Sequence, residues 1–228
     1  MDPGIVALGA IFALAGALLA WSVARGRAIA RRLLEAGFVA CDDDAPVLLR
    51  ALSELAGGHP PAVRRVYEVG RCFKRAAGWG MLYRFGVTDK THADTDGIHE
   101  SAPTGGRVDV YLLDLRDPER VARGPVSVYL APSAPGPLQR LLAGLVKSDP
   151  HGVPLELDGP HAGAFLAAFS DRPGKLGDLL PAETQQRLAK GVDQGFHAAH
   201  FGAGKLALEV QHDRPDVDRQ LAYLAEWA

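Results

Sequence analysis

The stretch GIVALGAIFALAGALLAWSVARGRAIARR, residues 4–32, decides how the rest of the chain is organised. Between residues 5 and 24, Ser22 is the only clearly polar side chain, and Trp21 lies near the end of the apolar run. A helix needs about 20 apolar residues to cross the ~30 Å hydrocarbon core of a bilayer, and an indole suits the headgroup level. The stretch therefore predicts one membrane-spanning helix.

Basic residues follow the apolar segment and none precedes it. A secretory signal has the opposite order, with positive charge before a shorter apolar run and a small-residue cleavage site after it. We therefore predict a retained single-span anchor, with a cleaved signal and a buried core helix as the alternatives. Four arginines come directly after the segment: Arg25, Arg27, Arg31 and Arg32.

The same arginines predict the orientation of the chain. Lys and Arg near the end of a span stay on the cytoplasmic side, which places Met1 outside the cytoplasm and the residues from Arg25 onward inside it. We expect a transmembrane anchor at residues 1–24, a basic juxtamembrane helix at 25–40 and a cytoplasmic α+β domain at 41–228. The arginines lie where anionic headgroups lie, and each adds about 1 kcal/mol of attraction to such a surface.

Small residues recur along the predicted span. Gly9, Ala13 and Ala17 are four positions apart from one another. This spacing lets two membrane helices approach closely and gain packing contacts. It predicts a helix that packs against a partner, but an alanine-rich span also produces the spacing by chance.

The composition bears on partners and on the compartment. A net charge of −2 over 228 residues gives no case for a nucleic-acid partner, which needs a clustered basic face. The two cysteines, Cys41 and Cys72, form no CxxC pair and no disulfide framework of the secreted kind. We expect them to be unpaired thiols, which agrees with a reducing cytoplasmic compartment.

Alternating apolar and polar residues predict a β-rich region in the first half of the domain. Strands are expected in VRRVYEVGRCFKR (63–75), MLYRFGVTD (81–89), RVDVYLLDL (107–115) and PVSVYLAP (125–132). Their short or medium connections favour an antiparallel meander.

Helical periodicity and turn residues complete the expected fold. Helices are expected near residues 47–55, at 137–147 and after Pro181, and a hairpin is expected across residues 202–204. A terminal helix is expected with Asp213 as its cap and an inward apolar face. The predicted fold is therefore α+β: one N-terminal transmembrane helix, then a cytoplasmic domain with an antiparallel β meander and packed helices. The inward residues of the terminal helix are Val217, Leu221 and Leu224.

The order of three segments carries a family resemblance. YRFGVTD (83–89), FSDRP…LLP (169–181) and GAGKLALEV (202–210) are followed by the terminal helix. In this order the chain resembles uncharacterised single-span bacterial membrane proteins with a cytoplasmic domain of unknown function. The resemblance covers most of the chain after the anchor. It implies a single-pass protein of the bacterial cytoplasmic (inner) membrane, and it carries over no catalytic residues.

The best candidate for a metal site is the loop DKTHADTDGIHE (89–100). Zn²⁺ or Mn²⁺ accepts a mixture of nitrogen and oxygen ligands, but the spacing does not fit a calcium loop. A polar hairpin loop explains the same residues without a metal, so the sequence assigns neither a metal nor a cofactor. The candidate ligands are His92, Asp94, Asp96 and His99.

Other reactive side chains lack the context that a catalytic site needs. His197 and His200 are three residues apart, and on the strand that flanking glycines favour they would point to opposite sides. Joint ligation of a metal is therefore not expected. No local base and no nucleophile-elbow sequence surrounds Cys72, Ser133 or Ser170.

Topology and the missing catalytic motif together suggest a class of function. We expect a non-enzymatic interaction or assembly protein that presents its cytoplasmic domain to a membrane or cytoplasmic protein partner. Two alternatives stay open. One is a membrane-tethered, metal-dependent hydrolase that uses the loop from His92 to His99. The other is a module that binds anionic lipid through the four arginines.

Overall fold

The computed structural model describes residues 3–55, 67–78, 80–89, 107–131, 152–210 and 216–227. The chain divides into two compact units, Met1–Val39 and Ala40–Ala228. The predicted loop at residues 92–99 and the predicted helix at 137–147 lie outside the described residues.

The first unit consists mainly of one long helix, α1 (Pro3–Glu35). The helix ends because Gly37 has a φ of +84°, a left-handed conformation that glycine adopts at no steric cost. The N–H of Phe38 donates to the carbonyl of Leu33, and the N–H of Gly37 donates to that of Leu34. This Schellman arrangement satisfies the last carbonyl groups of the helix.

The remaining described residues form a sheet and short helices, so the fold is α+β. The strands are β1 (Val39–Ala40), β2 (Tyr67–Ala77), β3 (Gly80–Asp89), β4 (Arg107–Asp114), β5 (Val126–Leu130), β6 (Val153–Pro154), β7 (Phe165–Ser170), β8 (Phe196–Gly202) and β9 (Lys205–Val210). The helices are α2 (Ala45–Leu55), α3 (Pro118–Val121), α4 (Leu176–Leu179), α5 (Ala182–Gly191) and α6 (Val217–Leu224), and single 3₁₀ turns lie at Asp42–Asp44, Ala162–Ala164 and Val192–Gln194.

The strand order in the described sheet is β1-β2-β3-β4-β9-β8-β5-β7-β6. Strands β2, β3 and β4 form the predicted antiparallel meander. The fourth predicted strand, β5, does not continue the meander. The β8–β9 hairpin lies between β4 and β5, so that β4 pairs with β9 and β5 pairs with β8. Residues 115–125, which join β4 to β5, include α3 and are too long for a tight hairpin. Both edges of the sheet are strands of only two residues, β1 and β6.

Helices cover both faces of the sheet. Helix α5 and helix α6 pack on the face that carries Phe196, whose ring lies 5.3 Å from that of Tyr223. Helix α2 packs on the opposite face, where its apolar side chains bury those of β2, β3, β4 and β9. The buried residues of that second face are Cys41, Leu48, Ala51, Leu55, Cys72, Phe85, Val87, Val110, Leu112 and Ala207.

The terminal helix α6 confirms its predicted inward face but not its predicted cap. The carboxylate of Asp216 accepts a hydrogen bond of 3.1 Å from the N–H of Arg219 and caps the helix. The prediction of Asp213 is wrong, because the helix begins at Val217 and the capping position directly before it is Asp216. The three residues predicted to face inward are buried: Val217, Leu221 and Leu224.

Cys41 and Cys72 are joined by a disulfide, with their Cα atoms 5.2 Å apart. The expectation of unpaired thiols is therefore wrong. The fold places Cys41 beside β2, where its N–H donates to the carbonyl of Cys72 at 3.0 Å. A separation of 31 residues hides this neighbourhood in the sequence. The support that unpaired thiols gave to a cytoplasmic compartment is lost.

Candidate functional site

Helix α1 exposes the apolar side chains of the predicted span. Between residues 11 and 23 its large apolar side chains are 45–68% exposed. A core helix of a soluble domain buries one such face, so the buried-helix alternative does not hold. Within the described residues, α1 is the one helix long and apolar enough to cross a membrane, and a signal sequence near the N-terminus has the same character.

The end of the apolar segment carries aromatic and basic side chains together. The guanidinium of Arg25 lies 5.1 Å from the ring centroid of Trp21, one helical turn earlier. Such a pair suits the boundary between hydrocarbon and headgroups. The next three arginines are exposed and extend the basic surface along α1: Arg27, Arg31 and Arg32.

The other candidate residues from the sequence lie in different parts of the structure or outside its described residues. Ala13 and Ala17 are exposed on α1, and Gly9 lies in the same helix. The hydroxyl of Ser170 lies 2.6 Å from the carbonyl of Pro125 and 3.0 Å from the carboxylate of Asp171, and no histidine in the described part of the chain pairs with it. The predicted metal ligands all lie outside the described residues: His92, Asp94, Asp96 and His99.

A polar cluster lies on the sheet face that packs against α2, where β5, β8 and β9 are neighbours. The carboxylate of Glu209 accepts hydrogen bonds from Nε2 of His197 at 3.0 Å and from Nε2 of His200 at 3.1 Å. The Nδ1 atom of His200 lies 2.9 Å from Oγ of Ser127. The four side chains therefore form one continuous chain of hydrogen bonds.

The register of the sheet brings these residues together. Ser127 lies directly opposite His200 across β5 and β8, and Glu209 lies opposite Ala198 across β8 and β9. Side chains directly opposite each other in a sheet are about 5 Å apart and share one face. The ring of Tyr129 packs edge-on against the imidazole of His200, with centroids 6.2 Å apart, and limits its rotation.

An irregularity in β8 brings His197 to the same face. Phe196 pairs with Val210 and Ala198 pairs with Glu209, so one extra residue is inserted in β8 between these pairs. A bulge of this kind interrupts the alternation of side chains. The prediction that the two histidines point to opposite sides is wrong, because it assumed strict alternation along the strand.

The hydrogen bonds of the cluster determine its protonation. Burial of Glu209 opposes ionisation, but the hydrogen bonds from His197 and His200 outweigh it and hold the pKa of this carboxyl well below its ordinary value of 4.5. At neutral pH the carboxylate therefore accepts both Nε2–H groups. In the neutral tautomer of His200 that carries its proton on Nε2, Nδ1 is an acceptor and can receive a hydrogen bond from the hydroxyl of Ser127.

This arrangement suits proton transfer better than metal binding. Within the described residues, no three His, Cys, Asp or Glu side chains are placed to hold a metal ion. A hydroxyl, an imidazole and a carboxylate in sequence are the parts of an activated nucleophile. The Nδ1 atom of His197 is buried and has no hydrogen-bond partner in the described part of the chain.

A second polar network lies on the opposite face and is buried. Arg84 donates to Oη of Tyr111 at 3.0 Å and to the carboxylate of Asp109 at 2.9 Å. Tyr111 donates in turn to Gln220 of α6 at 3.2 Å, and burial raises the pKa of Tyr111 to about 12. The network joins β3, β4 and α6, and its burial from solvent indicates a structural role.

Sequence patterns do not single out Ser127 or Glu209. Ser127 is 73 residues from His200, and Glu209 is 9 residues from it, so no local motif connects them. The available signal is weak: Ser127 is a polar residue between Val126 and Val128 in an alternating strand.

No protein-family model, curated protein or solved structure matches this chain. Its function is therefore inferred from the geometry of its own residues.

Proposed function

We propose that this chain is a single-pass protein of the bacterial inner membrane that presents its C-terminal α+β domain to a protein partner. The observation that supports the proposal is the exposure of the apolar side chains of α1. A soluble protein rarely leaves so large an apolar surface uncovered. At 1.5 Å per residue, the 33 residues of α1 extend about 50 Å, which exceeds the hydrocarbon core and leaves length for a basic juxtamembrane part.

The proposed orientation has the N-terminus outside and the C-terminal domain in the cytoplasm. Its support is the charge distribution, because four arginines directly follow the apolar segment. The same arginines would lie at the level of anionic headgroups and strengthen the attachment.

The disulfide between Cys41 and Cys72 favours the opposite orientation. Stable disulfides are rare in the cytoplasm, where thioredoxin and glutathione keep thiols reduced. Charge and disulfide therefore make opposite predictions, and one experiment distinguishes them.

The topology experiment uses the full chain with a C-terminal epitope tag. In intact spheroplasts we expect added trypsin to leave the tagged domain whole. The control is the same treatment of permeabilised spheroplasts, where the domain should be digested. Digestion in intact spheroplasts, or a mature chain that begins beyond Trp21, would contradict the proposal.

The small residues of α1 provide the contact that we propose for a partner helix. The double variant A13L/A17L replaces two small residues of this face with leucine, which prevents the close approach of a partner helix. The control A15L makes one alanine-to-leucine change at a position about 200° around the helix from this face. We expect chemical cross-linking in membranes and native gels in mild detergent to show a complex that A13L/A17L loses and A15L keeps. An unmodified chain that migrates as a monomer would contradict the partner proposal without affecting the topology.

A further inference from the structure

The chain of hydrogen bonds through Ser127, His200 and Glu209 ends at a hydroxyl group. Oγ of Ser127 lies 2.9 Å from Nδ1 of His200, and Nε2 of His200 lies 3.1 Å from a carboxylate oxygen of Glu209. Both distances fall in the range within which a general base takes up a proton. The side chains of His200 and Glu209 are 20% and 26% exposed, so the chain reaches solvent and is not sealed in a core.

We infer that Ser127 is a nucleophile, activated by His200, that accepts an acyl group from a carboxylic ester or thioester. The carboxylate of Glu209 binds Nε2–H and so selects the tautomer in which Nδ1 faces the hydroxyl without a proton. Such a constellation is recognised by the geometry and roles of its members, not by their order in the chain. This activity goes beyond the membrane attachment and assembly proposed above and does not depend on them.

Three contacts hold His200 in the required orientation. The pairing of β5 with β8 places it opposite Ser127, and the ring of Tyr129 packs against its edge. Glu209 holds Nε2, and the second oxygen of the same carboxylate is bound by His197 at 3.0 Å. Glu209 is therefore a positioning residue that acts through the imidazole, while Ser127 and His200 contact the reacting atoms.

The reaction is balanced without any reactant beyond ester and water. The hydroxyl proton moves from Oγ of Ser127 to Nδ1 of His200 while Oγ forms a bond to the carbonyl carbon. The bond from that carbon to the ester oxygen, or to the sulfur of a thioester, then breaks. The leaving group takes the proton from Nδ1 and departs as an alcohol or a thiol. Water repeats the same steps on the acyl-serine, which releases the carboxylic acid and restores Ser127.

A fluorophosphonate probe tests this inference on the full chain in mild detergent. The probe forms an Oγ–phosphorus bond and releases fluoride only where a serine is activated. We expect intact mass and peptide mapping to find one adduct, on Ser127, and S127A to lose it. The matched control is S170A, because Ser170 is a buried serine whose hydroxyl is bound by a backbone carbonyl and by Asp171, and this variant should still be labelled. Folded protein without an adduct on Ser127 overturns the inference.

The roles of His200 and Glu209 are distinguished by the rate of probe labelling and by the rate of ester hydrolysis in their variants. H200Q should slow labelling by about a hundredfold, the scale of general-base catalysis. With p-nitrophenyl acetate as the probe substrate, E209Q should lower kcat by a similar factor at unchanged KM, and E209D should restore part of it. Circular dichroism measures the folded fraction of each variant. Labelling of folded H200Q at the unmodified rate, or losses that only match the unfolded fraction, would overturn the assignment.

Discussion

Replacement of Glu209 by glutamine should destabilise the folded chain in a pH-dependent manner. The carboxylate accepts two imidazole N–H groups, at 3.0 and 3.1 Å. A glutamine has one carbonyl oxygen, so it can accept one of these bonds in a weaker, uncharged form and leaves the other donor unpaired. Hydrogen bonds to charged groups contribute about 1.5–3 kcal/mol each, and partial exposure of both histidines reduces the loss. We expect a decrease of about 2 kcal/mol in the free energy of unfolding at pH 7.5.

The sign of the pH dependence follows from the lowered pKa of Glu209. Its contribution is complete above the ordinary value of 4.5 that applies to the unfolded chain, and it is lost as the pH falls below that value towards the folded pKa. The stability difference between the unmodified chain and E209Q should therefore be fully present at pH 7.5 and decrease below pH 4.5.

Urea unfolding of the full chain in mild detergent measures both quantities. The indole of Trp227 is buried against Tyr223, so its fluorescence reports the opening of the domain. The matched control is E156Q, because Glu156 is exposed and only 3.9 Å from exposed Lys175, and an exposed pair of this kind contributes less than about 1 kcal/mol. Equal stability of E209Q and the unmodified chain at pH 7.5, or a difference that does not change with pH, would refute this explanation of the cluster.

Two further perturbations test the packing of the domain. A Cβ at Gly191 would lie 2.9 Å from Oη of Tyr223, so Gly191→Ala should lower the free energy of unfolding by about 1–3 kcal/mol in urea titrations. The control is Gly163→Ala, which should change this free energy by less than about 0.5 kcal/mol because no atom lies within 4 Å of the added Cβ. Equal effects of the two substitutions would contradict the predicted clash with Tyr223. The disulfide of Cys41 and Cys72 closes a loop of 31 residues, so its reduction in purified protein should lower the free energy of unfolding by about 3–4 kcal/mol in the same titration. An unchanged unfolding midpoint after complete reduction would contradict a stabilising role of the disulfide.

Local patterns predicted the elements of the fold whose partners are close in sequence. Alternation and short turns gave β2, β3 and β4, and helical spacing gave the inward face of α6. The neighbours of β5 could not be predicted in this way. Its partners β7 and β8 come from a later part of the chain, and alternation says which side chains share a face without saying which strand lies alongside.

The candidate site was harder to predict for the same reason. The bulge before Ala198 changes which face His197 occupies, and a bulge leaves no clear mark in the residue pattern. Ser127 and Glu209 become candidates only because each contacts His200, which lies on a neighbouring strand. The pairing of Cys41 with Cys72 likewise depends on a contact between segments 31 residues apart.

The two edges of the described sheet bear on how copies of the chain would meet if they share a bilayer, as proposed above. Each is a strand of two residues, β1 and β6, and Pro154 of β6 has no N–H to offer. A long bare margin would recruit another chain and fuse copies into a continuous ribbon. If α1 holds copies of the chain in one bilayer, as proposed above, the edge at β6 is a poor template for another chain, whereas β1 covers only part of the 11 residues of β2.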